Sequence, residues 1–348
     1  METRRLRSPA VVLTALAALL AVSVVVAVAI GVAGLTPGQV WDVILLHAGL
    51  SPATTPSDTN DAIVWGIRLP RVLTAALVGA GLAVAGVVMQ GVTRNPLADP
   101  YLLGLSSGAS LGAVAVLLLG IGSAVATTVA LPVAAFLGAL VALVAALGVA
   151  RLAGAITPTT AVLAGLAMSQ LFAAVTSLVI VVAAKGDSYR EVLNWLLGSL
   201  AGSSWTTVAV ALIALVAIYP LLRAYASRLD AFALGEPAAQ ALGINTRRTY
   251  LVLFVLVAAL TGAMVSTSGA IGFVGLVLPH VVRAVTGGLH RRVLPAAALG
   301  GAIFLVWADT LARTVLDPRE IPVGVVTALI GVPVFVLVLW RSGRSSWS

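Results

Sequence analysis

Residues 94–113 read RNPLADPYLLGLSSGASLGA: two prolines, an Asn and an Asp set between long apolar runs, with glycines at 104, 108 and 112. The preceding span, 66–92, is mostly apolar and rich in small residues from Gly79 to Gly91. The polar punctuation therefore marks a chain leaving one hydrocarbon-spanning helix and entering the next. Asn95 and Pro96 form the tight turn. Asp99 before Pro100 combines a good N-cap with a proline at the first helical position, so the next helix is expected to start at Pro100. Gly104, Gly108 and Gly112 then fall four apart on one face, a smooth strip that serves either close helix packing or a pathway wall.

The composition extends this reading to the whole chain. Of 348 residues, 60% are hydrophobic and 9% charged, with mean hydropathy +1.12, whereas a soluble domain carries about 25% charged residues. The chain is read as an all-α integral membrane protein. It has no cysteine, which excludes disulfides and thiolate metal sites. Its net charge of +8 does not point to nucleic acid, because the arginines stand singly or in pairs between apolar runs and build no basic face.

Counting runs long enough to cross the hydrocarbon gives about ten transmembrane helices, at 9–34, 66–92, 101–119, 124–150, 159–184, 204–224, 248–267, 272–287, 294–314 and 322–341. The first is too long for a signal-peptide core and is read as retained. With the N-terminus inside, most of the 20 basic residues fall in cytoplasmic segments: Arg4, Arg5, Arg7, then 94, 151, 223–248, 283–292, Arg341 and Arg344. Arg68, Arg71, Lys185, Arg190, Arg313 and Arg319 fall near the outer ends. The asymmetry agrees with the positive-inside rule and places both termini in the cytoplasm.

The longest cytoplasmic segment, 225–247, contains LDAFALGEPAAQALGIN. Pro237 after Glu236 marks a helix start and Gly243 a stop. Helices this short need a surface to dock on, either the protein's own base or a partner. At the outer side, Lys185, Asp187, Arg190 and Glu191 precede LNWLLGSL, an interfacial helix anchored by Trp195. Asp309 and Arg313, four apart in an apolar run, are expected to pair along one helix. His47, His280 and His290 lie in separate segments and make no metal site.

Four stretches strongly resemble the FecCD permeases, the membrane subunits of ABC importers for iron chelates and vitamin B12: 68–113, the GEPAAQALGI loop at 235–244, GFVGLVLPHVVRAVTGGLHRR at 272–292 and REIPVGVVTALIGVPVFVLVLWR at 319–341. The resemblance implies a type II ABC importer permease fold occupying 1–348 as a single domain in a bacterial cell membrane. It implies a second permease subunit, identical or closely similar, with the pathway between the two. It implies two cytoplasmic ATPase subunits that use ATP and Mg, one extracytoplasmic binding protein, and no cofactor held by this chain. It makes Asp230, Glu236 and Gly243 candidates for ATPase coupling. Asn95, Leu97, Thr159 and Thr160 become candidates for the cytoplasmic gate, with simple helix capping the alternative for the threonines around Pro158. Arg68, Arg71 and Arg319 become candidates for docking the binding protein, with snorkelling at a membrane edge the alternative for the first two.

Energy coupling separates two functions. The chain has no GxxxxGK[ST] phosphate loop, and its only lysine, Lys185, is followed by Gly186 and Asp187. It is therefore not itself a P-loop ATPase. The expected function is import of a ferric siderophore powered by partner ATPases, with cobalamin or haem as alternative cargo. An ion-coupled carrier would instead use Asp309 as its protonation site.

Overall fold

A computed structural model describes residues 9–31, 34–122, 127–317 and 319–345. Arg4, Arg5 and Arg7 lie outside the described residues, as do the side chains of Arg341 and Arg344. Every regular element among the described residues is helical. In order these are α1 (Pro9–Ala29), α2 (Pro37–His47), α3 (Asp58–Asp61), a π-helical stretch Ala62–Arg68, α4 (Leu69–Thr93), a 3-10 turn Pro100–Leu103, α5 (Leu105–Leu119), α6 (Thr127–Leu152), α7 (Pro158–Ala183), α8 (Ser188–Leu196), α9 (Trp205–Ala224), α10 (Ala226–Ala233), α11 (Glu236–Ala241), α12 (Thr246–Ser268), α13 (Val274–Thr286), α14 (His290–Ala312) and α15 (Val323–Ser345). Seven helices are long and apolar enough to cross a bilayer, and α5, α13 and α15 are shorter apolar helices. Together they occupy the ten expected segments.

The core is built around α4. Its 25 residues extend about 38 Å at 1.5 Å each, and α14, α12, α13 and α9 pack around it. Small side chains make this possible: a Cβ on Gly79 would overlap the Gly301 carbonyl of α14, and one on Gly86 the Gly275 carbonyl of α13. In a membrane, where apolar burial gives no advantage over lipid, such close backbone approach is the main source of helix association. By contrast α7 packs on α5 and α6 by one face and leaves the other exposed.

The third span does not begin as the sequence suggests. Asp99 does cap, accepting from the Tyr101 amide at 2.8 Å. However, the turn it starts is 3-10 and closes at Gly104, whose φ of +83° ends it before α5. Gly104 therefore faces Gly165 and Ser169 of α7, while Gly108 and Gly112 lie against the Gly138 and Ala134 carbonyls of α6. The expected strip is split between two neighbours. A second break, 269–273, separates α12 from α13, with Gly269 at φ +67° and Phe273 at φ +68°. There the Tyr101 hydroxyl donates to the Ile271 carbonyl at 3.0 Å and accepts from the Ile271 amide at 3.1 Å, satisfying backbone groups that neither helix reaches.

The segment before α4 folds as a cap over one end of the helices. Thr36 and Gln39 form a capping box on α2. His47 stacks on Trp65 at 3.9 Å, and Trp65 leans on Trp205 of α9 at 4.7 Å. Asp42 accepts from the Ala53 amide at 2.9 Å and the Thr54 hydroxyl at 2.5 Å, closing the loop after α2. The Thr54 bond holds the Asp42 carboxyl below its ordinary range, with burial opposing it. Because the folded value is lowered, this tie is complete at neutral pH and is lost only as pH falls through that lowered value. A spin label at Thr55 is expected to stay immobile near neutrality and to loosen only in acid, whereas Asp42→Asn loosens it at every pH.

Candidate functional site

Two polar clusters interrupt the apolar structure, one at each end. At the end where α4 begins, Arg71 is buried and its guanidinium spans two carboxylates. Nε and Nη2 donate to Asp309 of α14 at 2.9–3.0 Å, and Nη1 donates to both oxygens of Glu320 at 2.9 and 3.0 Å. Only 8% of the Arg71 side chain and 1% of Asp309 are exposed, against 47% of Glu320. A buried charge is tolerated only when paired and hydrogen-bonded, and the planar fork of arginine meets both conditions here.

Two more arginines join from the same end. The last carbonyls of α1 have no amide partners of their own. Arg68 Nη1 donates to Val28 O at 3.3 Å and Ala29 O at 3.2 Å, and Arg313 donates to Ile30 O at 2.8 Å and to Ala27 O. Two guanidiniums thus cap the negative end of α1. Arg313 Nε stays 3.8 Å from Asp309 Oδ2 and has no hydrogen-bond partner. The expected same-helix Asp309–Arg313 pair is therefore the weaker contact, because Arg71 already occupies both oxygens of Asp309.

The arginines expected to dock a binding protein do not share one setting. Arg68 and Arg71 point inward, 5% and 7% exposed, and hold three helices together. Arg319 is exposed and has no ion pair among the described residues. The third guanidinium of the cluster is Arg313, which carried no docking role in the sequence reading. The missed partner, Glu320, lies next to Arg319, but nothing in the sequence links it to a position 249 residues away.

At the opposite end, α4 stops at Arg94, which adopts φ +51°. Asn95 Oδ1 then accepts from the Leu97 amide at 2.9 Å, and both residues are exposed at the turn. Thr157 and Thr160 form a reciprocal capping box at the start of α7, while Thr159 is exposed beside it. Arg283 of α13 donates to Gln90 Oε1 at 2.5 Å, and Gln90 donates to Leu276 O at 3.1 Å. His280 Nδ1 lies 2.9 Å from that same carbonyl.

The polar loop forms a helix pair, α10 and α11, joined through Gly235 at φ +104°. Leu229 and Phe232 of α10 are buried, and Phe232 packs on Tyr250 of α12 at 4.9 Å. Asp230 faces its own chain: its Oδ1 accepts from the His290 amide at 2.9 Å and lies 2.6 Å from His290 Nδ1, capping α14 from a different helix. The outward charge expected at Asp230 is thus used internally. Glu236 sits with Arg94 beside the Tyr250 hydroxyl. Gly243 occupies the C′ position of a Schellman motif, φ +79°, with Gly243 N donating to Gln240 O and Ile244 N to Ala239 O. Nothing lies within 4 Å of a Cβ built there, so Gly243→Ala meets only the backbone cost of a left-handed residue, about 1–2 kcal/mol. Amide exchange of 239–244 is expected to accelerate in that variant while the spans remain protected.

Ten apolar helices among the described residues, with α4 buried at their centre, locked by charge at one end and carrying a polar helix pair at the other, have the build of a multi-span transport permease. The chain belongs to the FecCD transport family, whose model matches residues 19–341. It is 41% identical over 283 residues to the cobalamin import system permease protein BtuC of Halobacterium salinarum, covering 81% of this chain and 74% of the relative. It is 38% identical over 304 residues to the Fe(3+) dicitrate transport system permease protein FecD of Escherichia coli, covering 85% and 93%. Among solved structures, an inward-facing ABC transporter described as of metal-chelate type matches with TM-score 0.82 at 29% identity, covering 94% of this chain and 98% of the other.

Proposed function

We propose that this chain is the membrane-spanning permease of a binding-protein-dependent ABC importer that brings a ferric siderophore into the cytoplasm, driven by two separate ATPase subunits. The observation that carries the reading is the α10–α11 pair, which packs on the ends of α4, α12 and α14 by one face and presents Leu234 and Leu242, 73% and 66% exposed, on the other. Large apolar side chains exposed on such a loop mark a surface that another protein covers. Family membership supports a transport role; the FecD relative fits an iron chelate, and the BtuC relative keeps cobalamin as the alternative cargo. The exposed face of α7 supports a second permease subunit, with the pathway between the two copies. The distribution of arginines supports cytoplasmic termini in a bacterial cell membrane.

The ion-coupled alternative loses its main support in the geometry of Asp309. A protonation switch needs a carboxylate that can give up its partner, whereas this one lies in a bidentate bond to a buried arginine. The test is reconstitution with the cognate ATPase and binding protein. Addition of the loaded binding protein is expected to raise ATP hydrolysis only when the permease is present. Hydrolysis that ignores the permease would reject the coupling.

A further inference from the structure

Between α10, the end of α11 and the first turns of α12 lies a cavity of about 540 Å³, bounded among others by Tyr225, Arg228, Gly243, Asn245, Arg248 and Thr249. Two guanidiniums and no carboxylate face it. Arg228 and Arg248 are exposed, and neither has an ion pair among the described residues. Arg228 is steadied 4.5 Å above the Tyr225 ring. The acids nearest in sequence are engaged elsewhere, Asp230 with His290 and Glu236 beside Tyr250 and Arg94. The unpaired charges that this loop offers to the cytosol are therefore positive. Leu242 lines the same cavity, and Leu234 is exposed on the turn between α10 and α11.

We infer that this cavity is the seat for an acidic side chain of the ATPase subunit, gripped by Arg228 and Arg248, with Leu234 and Leu242 packed against the apolar surface around it. The inference rests on the proposed coupling to an ATPase and reverses the sign of the contact that Asp230 and Glu236 would have made. A carboxylate between two arginines is a charge-assisted, forked contact, and an apolar surround excludes the water that would weaken it. A lipid phosphate would satisfy the guanidiniums but leave the two leucines uncovered. Because the cavity wall joins the C-terminus of α11 to the start of α12, a group seated there holds the loop to a helix that crosses the membrane and packs on α4.

The test titrates the ATPase subunit onto the full-length permease in nanodiscs made of either zwitterionic or anionic lipid. Wild type is expected to bind with affinity that falls steeply with salt. Arg228→Glu with Arg248→Glu should weaken binding by about 100-fold, because each reversal sets like charges against each other. Arg247→Glu, the same reversal as Arg248→Glu alone but at an exposed neighbour that does not line the cavity, should alter it little while Arg248→Glu alone weakens it about tenfold. Equal weakening by Arg247→Glu would mean a diffuse basic face and overturn the seat. Unchanged binding in the double variant would overturn it as well, while leaving the importer reading intact. Weakening confined to anionic nanodiscs would assign the cavity to a lipid headgroup. Failure of wild type to bind at all would instead reject the ABC reading. Should the double variant not insert, the single changes Arg228→Gln and Arg248→Gln carry the same comparison, each expected to lose about tenfold.

Discussion

Arg71→Ala is expected to destabilise the solubilised permease by about 3–5 kcal/mol, the cost of leaving a buried charge without its partner. Asp309 would keep only the 3.8 Å approach of Arg313, and Glu320 would lose its anchor to α4. Arg71→Lys should fall between, since a single ammonium cannot serve two carboxylates with the fixed fork of a guanidinium. The double variant Arg71→Ala with Asp309→Asn should recover part of the loss, because it removes the orphaned charge as well as the pair. Thermal unfolding of the four proteins in one detergent decides the matter: equal stability of wild type and Arg71→Ala would mean that the network contributes nothing.

Gly86→Val should be at least as damaging, by a steric route. Its Cβ would coincide with the Gly275 carbonyl, a backbone atom that no rotamer change can move. Pro279 in α13 has no amide to bond that carbonyl within the helix, so the same oxygen is both free of its helix and pressed against α4. Overpacking ordinarily costs about 1–3 kcal/mol and more where backbone must shift. Here α4 and α13 would have to separate. Gly148→Ala on α6 is the control: nothing lies within 4 Å of the added methyl, so better helix propensity should leave it neutral or stabilise it by up to about 1 kcal/mol. Unfolding of Gly86→Val at the wild-type temperature would show that the close approach of α4 and α13 is dispensable.

These two predictions also show what the sequence could reveal. The ten apolar segments were legible because hydrophobic length is a local property and the bilayer imposes it. Gly243 as a helix stop and Asp99 as a cap were legible for the same reason, since each depends on two or three neighbours. The split of the glycine strip was not, because a 3-10 turn and an α-helical first turn begin with the same Asp-Pro signal and Gly104 decides between them. The π-helical stretch 62–68 and the helices α2 and α3 left no periodic trace long enough to read. Charge partners were the least legible part. Asp309 has an arginine four residues away but bonds one 238 residues away, and Asp230 turns inward to cap α14. Which charge meets which is settled by the packing of α4 among its neighbours, and no local pattern encodes it.

The outer network also bears on how docking would act. The docking positions expected at Arg68 and Arg71 are committed to carbonyls and carboxylates of their own chain in this structure. A binding protein that engaged this end would find Glu320, half exposed, as the most accessible member of the set. Any contact that drew Glu320 away would loosen the segment after α14 from α4, a direct mechanical route from the outer face to the central helix.

Radio-iron uptake into proteoliposomes holding this permease, its ATPase and its binding protein, across a panel of ferric siderophores with and without internal ATP, tests the central claim most directly. The account predicts uptake of at least one chelate that requires both ATP and the binding protein and survives dissipation of the proton gradient. Uptake by the permease alone, driven by a proton gradient and abolished by Asp309→Asn, would contradict it.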